Sequence, residues 1–319
     1  MPRSLARWNL LAILLLAVAP LMGCTTNPAT GRSQLLALSW EDEIAMGDEA
    51  APEFLDQSGG EIGDTLVLEY ISDLGQRLAA QSENADLEWE FFVLDSAVIN
   101  AFALPGGKVF VSRGLLEKMT NEAQLAGVLG HEIGHVTARH GNERMTKAMG
   151  VQALIAGVAI GGAATGSEWG AVLGLGTAAG GQLYLLKYSR SNESEADGLG
   201  VRYMTNLGYN PVGQIQVMAI LREAGGGAGG PEWLATHPAP DTRIAELEEL
   251  IQDDYPAYDA DPPVYVFRQA EFEQNVLARL AQLPPASHGT GAFIQPEELI
   301  ELVGIAWEDL QHEGCDCEH

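Results

Sequence analysis

Cysteine is almost missing: there are three in 319 residues, Cys24 and the close pair Cys315 and Cys317. So few thiols cannot build a disulfide framework even in an oxidising compartment. Stability has to come from an apolar core, for which a chain of roughly 300 residues suffices. Basic residues are scarce too, 17 Lys and Arg against 44 Asp and Glu, a formal net charge of −27. That balance argues against nucleic acid as a partner and against an electrostatic grip on anionic lipid. The N-terminal apolar run, Leu10 to Val18, is too short to span a bilayer. The other strongly apolar stretch, 151–186, is dense in Gly and Ala and broken by Ser167, Glu168 and Trp169. It fits two small-residue helices packed closely on a domain better than a membrane insertion.

What is present starts with an export leader over 1–23: Arg3 and Arg7, the apolar run, then Leu21-Met22-Gly23-Cys24. The box resembles the lipobox of bacterial lipoproteins, which implies cleavage before Cys24 and acylation of that cysteine; an ordinary signal peptide with an incidental cysteine is the alternative. Thr25 is not the Asp that marks inner-membrane retention in enterobacteria. The expected location is therefore the cell envelope, lipid-anchored, on the outer membrane facing the periplasm.

Residues 24–40 lack periodicity and read as a tether. Apolar spacing then predicts two helices over 41–80, interrupted at Ser58-Gly59-Gly60. Leu87 to Leu94 suits a strand, and Asn100 to Val111 reads as strand, Pro-Gly-Gly turn, strand. Asn121 to Met149 predicts one long helix with Thr120 as its cap. Further helices are expected over 191–207, 211–224 and 240–251, with a glycine loop at 225–230. The domain is drawn at 41–252, and 253–319 as an acidic extension with short helices over 270–283 and 296–310. The last eight residues, with Cys315, Cys317, His312 and His319, read as a disordered acidic tail more readily than as a soft-metal site.

His131 and His135 are four apart, so on a helix they share a face and can share one small cation, with Glu132 angled toward the same place. With 7 His and 44 acidic residues in the chain, roughly 0.02 such patterns are expected by chance. Two neutral imidazoles and a carboxylate leave zinc a position for water, and Glu132 can take that water's proton as it attacks a peptide carbonyl. A nearby third histidine ligand is not supplied, because positions 138 and 141 are Ala and Gly. His140 points well around a continuous helix and reads as a surface or supporting histidine. The better third ligand is Glu193, with Asp197 one turn on, able to accept a hydrogen bond from a ligand imidazole. Glu195 points elsewhere.

His131-Glu132-Ile133-Gly134-His135, Glu193-Ser194-Glu195-Ala196-Asp197, His237-Pro238 and Arg243-Ile244 together resemble the CAAX prenyl endopeptidase and HtpX family of gluzincin metallopeptidases, over roughly residues 35–252. The resemblance implies an α+β zincin-like fold, mostly helical with a small mixed sheet, and one Zn2+ per chain. It implies that His237 is a mobile histidine able to latch the metal, and that Arg243 lies near the oxyanion. It further implies that Asn100, Ala101, Phe102 and Ala103 form an edge strand pairing with an extended substrate, although an ordinary hairpin is equally compatible with that composition.

The leader makes the chain most similar to the soluble periplasmic branch, that of the β-barrel assembly-enhancing proteases, without the tetratricopeptide array. The expected activity is endopeptidase cleavage of misfolded or unassembled envelope proteins. The alternatives are a chaperone-like assembly factor with a latched or weak protease, and a membrane-embedded prenyl-protein protease, which needs 151–186 to span the bilayer.

Overall fold

The computed structural model describes residues 23–150, 187–225, 233–237 and 240–287. Residues 1–22 of the export leader, the 151–186 stretch, most of the glycine loop, the 296–310 helix and the cysteine tail lie outside them. Among the described residues no helix is long and apolar enough to cross a membrane.

The described residues open on an antiparallel hairpin, β1 (Gly23–Thr26) and β2 (Ser33–Leu36). The tether reading of 24–40 is thereby corrected. Asn27 and Gln34 are buried, and their side-chain amides donate to the carbonyls of Thr137 (2.9 Å) and Ala138 (2.7 Å). These bonds fasten the hairpin to the end of the metal helix, a long-range fit that no local periodicity reveals.

Helix α1 (Trp40–Gln57) starts at a capping box in which Ser39 and Asp42 exchange side-chain-to-backbone bonds. Helix α2 (Thr65–Ala79) is capped by Asp64 and buries Val67, Ile71, Leu74 and Leu78, the inward stripe of its 3.6-residue period. The break expected at Ser58-Gly59-Gly60 separates the two.

The sheet has the order β3-β5-β4, with β3 (Glu90–Leu94) parallel and β4 (Ala101–Leu104) antiparallel to β5 (Lys108–Ser112). The predicted hairpin is thus present. Gly106 (φ 77°) and Gly107 (φ 92°) make its turn in backbone regions that side chains disfavour. Strand β4 is an edge of this sheet.

After α3 (Arg113–Leu116) comes the central helix α4 (Glu122–Thr137), buried along its whole length and packed against α2, β4, α5 (Arg190–Asn206) and α6 (Val212–Ala224). Its cap is Asn121, whose Oδ1 accepts from the Gln124 N–H, rather than Thr120. The helix predicted over 121–149 is not continuous. It stops at Thr137, Arg139 turns left-handed (φ 54°), and a second helical run follows over 140–150. Arg139 is held there by Glu43 and the Leu38 carbonyl, and its guanidinium lies 4.5 Å from the Trp40 ring. The break is set by partners about a hundred residues away.

Beyond the short α7 (Trp233–Thr236), α8 (Pro240–Asp254) runs through the expected boundary at 252. The reading of everything after 252 as an extension is corrected for 253–287. Val266 pairs with the backbone around Tyr209, and Phe272, Val276 and Leu280 are in the main core. Arg113 donates to the Leu280 and Pro284 carbonyls, and Ser287 exchanges backbone bonds with Asp95 and Ala97. The helix expected over 270–283 is present as α9 (Gln269–Phe272), a π-turn and α10 (Ala278–Leu280).

Candidate metal centre

One helical turn separates His131 from His135 on α4, and their Nε2 atoms converge to 3.0 Å. Glu193, on the first turn of α5, lies across from them, with carboxylate oxygens 3.8 Å from His131 Nε2 and 3.6 Å from His135 Nε2. The helices approach this closely because glycines face each other: a Cβ on Gly134 would stand 3.0 Å from the Ala196 carbonyl oxygen, and one on Gly200 2.9 Å from the His131 nitrogen. His237 Nδ1 is 3.0 Å from Glu193 Oε1 and 3.4 Å from His131 Nε2. One donor atom from each of these four buried residues lies within 4.8 Å of the others.

Burial, aided by Arg243, lowers the pKa of His131, and burial pushes His135 and His237 well below the usual histidine range. The imidazoles are therefore neutral, the form that binds metal. His131 Nδ1 is 2.9 Å from Asp197 Oδ1, so its N–H donates to that carboxylate and Nε2 is left with its lone pair toward the centre. Burial raises Asp197, but the charge and hydrogen bonds of Arg243, with His131, outweigh it and hold the carboxyl low.

Burial lifts Glu193 to about 7. Burial and the neighbouring Glu193 lift Glu132 to about 8, against hydrogen bonds from Trp233 and the Ala103 backbone. Glu193 Oε2 and Glu132 Oε1 are buried without a hydrogen-bond partner. Such atoms are costly unless something else compensates them, as the charge of Arg243, with NH1 2.5 Å away, does in part for Glu193 Oε2.

The donor set fits zinc. Ligand atoms at zinc's usual 2.0–2.1 Å in a tetrahedron stand about 3.3 Å apart, close to the separations of 3.0, 3.6 and 3.8 Å observed here. Two imidazoles disfavour calcium or magnesium, which take oxygen ligands.

Residues 66–251 match the model of peptidase family M48. The chain belongs to that family. Over 249 residues it is 33% identical to the beta-barrel assembly-enhancing protease of Escherichia coli K12, covering 75% of this chain and 51% of the relative. The Yersinia pestis protein of the same name is 32% identical over 248 residues, 75% of this chain and 50% of that one. The mitochondrial metalloendopeptidase OMA1 of Schizosaccharomyces pombe is 30% identical over 233 residues, 71% and 66% of the two chains. The chain thus spans about half the length of the bacterial relatives it matches. M48 peptidases use zinc, and among the described residues the His131, His135, Glu193 and His237 cluster is a place that can hold it.

Two residues differ from their sequence-based placement, and a third differs in part. Arg243 does not face an open space: Nε and NH2 grip Asp197 at 2.7 and 2.6 Å, and NH1 is 2.5 Å from Glu193 Oε2 without hydrogen-bond alignment. It steadies the carboxylates behind the centre. Asn100 lies before β4, its N–H donating to Ser112 Oγ and its carbonyl accepting from the Ser112 N–H. By antiparallel alternation the backbone groups of Ala101 and Ala103 face outward. Of these Ala101 is buried, and the Ala103 N–H already serves Glu132. Phe102 and Ala103 are the half-buried part of this edge.

His140 is the third. The helix break turns its buried ring under His135, Nδ1 to Nδ1 at 2.9 Å, and its Nε2 is 3.0 Å from Glu195 Oε2. Two aromatic partners also went unread in the sequence: Tyr188 stacks on His135 at 3.9 Å and Trp233 on His237 at 4.5 Å. Neither carries a local signal.

Proposed function

We propose that this M48 domain is a zinc-dependent endopeptidase acting on misfolded or unassembled proteins of the bacterial cell envelope. The observation that carries the reading is the convergence of His131, His135 and Glu193 beside Glu132, a buried carboxylate whose Oε1 has no hydrogen-bond partner. Zinc held by the first three supplies a Lewis acid for the peptide carbonyl and acidifies a water. Glu132 takes the proton of the attacking water and returns it to the leaving amine, a task suited to a buried carboxylate beside the metal ligands. The Trp233 indole and the Ala103 N–H orient Glu132 and tie it to the strand edge where an extended peptide can lie. Asp197 fixes the tautomer of His131, and Arg243 steadies both Asp197 and Glu193.

The name of the bacterial relatives supports envelope substrates. The leader supports a lipid anchor on Cys24 in the outer membrane. The test is casein degradation by the purified full chain: wild type cleaves in a chelator-sensitive manner, and Glu132→Gln retains zinc and loses cleavage. Full cleavage by Glu132→Gln overturns the mechanism.

A second reading, an assembly factor with a latched protease, is favoured by the position of His237 within the cluster, 3.0 Å from Glu193. Wild type that carries zinc yet leaves casein intact would support it over the first.

A further inference from the structure

His131 donates a hydrogen bond from its Nδ1–H to a carboxylate directly, but His135 has no carboxylate of its own at Nδ1; it meets His140 instead. A contact of 2.9 Å between two ring nitrogens needs one donor and one acceptor. The far nitrogen of His140 decides which is which. Nε2 faces Glu195 Oε2 at 3.0 Å, and a carboxylate only accepts, so His140 carries its proton on Nε2 and presents a bare Nδ1. His135 must then be the donor through Nδ1, which leaves its Nε2 lone pair toward Glu193 and His131. The two ligand histidines are thus matched, one oriented by Asp197 and the other by Glu195 through an intervening imidazole.

The relay is anchored from outside the metal helices. Arg32, in the turn between β1 and β2, lies with Nε 3.0 Å from Glu195 Oε1 and donates from NH2 to Glu143 Oε2 at 2.7 Å. Glu143 also accepts from Asn192 of α5 at 3.1 Å, so one cluster joins the hairpin, the 140–150 run and α5. The Asn27 and Gln34 amides hold the carbonyls exposed where α4 ends, next to the break that brings His140 beneath His135.

We propose that His140 and Glu195 are positioning residues for the ligand His135, and that the N-terminal hairpin keeps them in register through Arg32. The inference rests on the metal reading above. Cys24, the expected anchor, lies in the first strand of this hairpin, paired with Leu35, so the metal site is braced by the segment that carries it.

The test measures zinc affinity of the full chain by competition with a chromophoric chelator, for wild type, His140→Leu, Glu195→Gln, Arg32→Ala and the His140→Leu/Glu195→Gln double variant. Removing a partner that orients a ligand histidine weakens metal binding about 10–100-fold, and that loss is expected for His140→Leu. A smaller loss is expected for Glu195→Gln and the smallest for Arg32→Ala. Because Glu195 acts through His140, the double variant should bind zinc as His140→Leu does. In zinc-loaded protein carrying 15N-histidine, His135 should show a slowly exchanging ring N–H that His140→Leu loses, a signature that a purely structural role does not produce. Should His140→Leu fail to fold, Glu195→Gln decides the matter.

Wild-type zinc binding with unchanged affinity in Glu195→Gln and His140→Leu, or additive losses in the double variant, overturns the relay and leaves the metal reading standing. Wild type that binds no zinc overturns both.

Discussion

Gly198 and Gly200 stand two residues apart on α5, and alanine is expected to act on them in opposite directions. In a helix interior the exchange reduces the entropy lost on folding and improves helix propensity, worth about 0.5–1 kcal/mol. At Gly198 nothing lies within 4 Å of the added carbon, so Gly198→Ala should show that gain undiminished. At Gly200 the carbon would stand 2.9 Å from the His131 nitrogen and 3.1 Å from the Gly130 carbonyl carbon. Those are backbone atoms of α4, which cannot rotate aside, so the two helices must part by several tenths of an ångström.

Overpacking of this kind costs about 1–3 kcal/mol, more than the propensity gain, and Gly200→Ala should be destabilised by roughly 1 kcal/mol. The assay is urea unfolding of metal-free protein, with the two variants expected about 2 kcal/mol apart. Zinc affinity should fall in Gly200→Ala alone, because α4 carries His131 and His135 while α5 carries Glu193. If Gly200→Ala proves as stable as Gly198→Ala and binds zinc like wild type, close helix approach is not what assembles the centre.

Two further expectations concern the margins of the domain. Burial opposes ionisation of Glu143, but hydrogen bonds and charge from Arg32 and Lys147 prevail and bring its carboxyl down to about 2. Its folded pKa is below the unfolded value of about 4.3, so the stability it contributes is present above that pH and is lost as pH falls toward 2. The gap in urea midpoint between wild type and Glu143→Gln should therefore shrink from pH 6 to pH 3, and a gap that stays constant counts against the ion pair. Truncation after residue 252 removes Phe272, Val276 and Leu280, which are fully buried. Each is worth about 1.5–3 kcal/mol, against a typical domain stability of about 5–15 kcal/mol. The shortened chain should lose its cooperative unfolding transition in circular dichroism, and a truncated protein with a wild-type melt would refute the placement of that segment in the core.

The ligand-bearing turn of α4 was legible because helical periodicity alone puts His131 and His135 on one face, and the same rule pairs Glu193 with Asp197. The β4–β5 hairpin was legible from Pro105-Gly106-Gly107, since a left-handed turn needs glycine at those places. His140 takes the supporting place its position allows rather than the surface one, but its direction is not the one periodicity predicts: five residues along an unbroken helix it would point away. The left-handed Arg139 resets the direction, and what holds Arg139 is Glu43 and Leu38. Glu195 faces away from the metal, as helical spacing predicts, and meets His140 there. Arg243 was placed by resemblance near an oxyanion; its actual direction follows from Asp197 and Glu193, two buried acids that need a cation.

Local spacing by itself determined the chemistry available to this protein: which side chains share a helical face, which turn requires glycine, and how acidic the surface is. Those properties depend on residues a few positions apart, within reach of backbone geometry. Tertiary structure decided how the chemistry is aimed: the break after Ala138, the tautomers of the ligand histidines, the engagement of Arg243, and the return of residues 253–287 into the core. Each depends on hydrogen bonds or packing between segments tens to hundreds of residues apart, whose partners exist only once the chain has closed on itself.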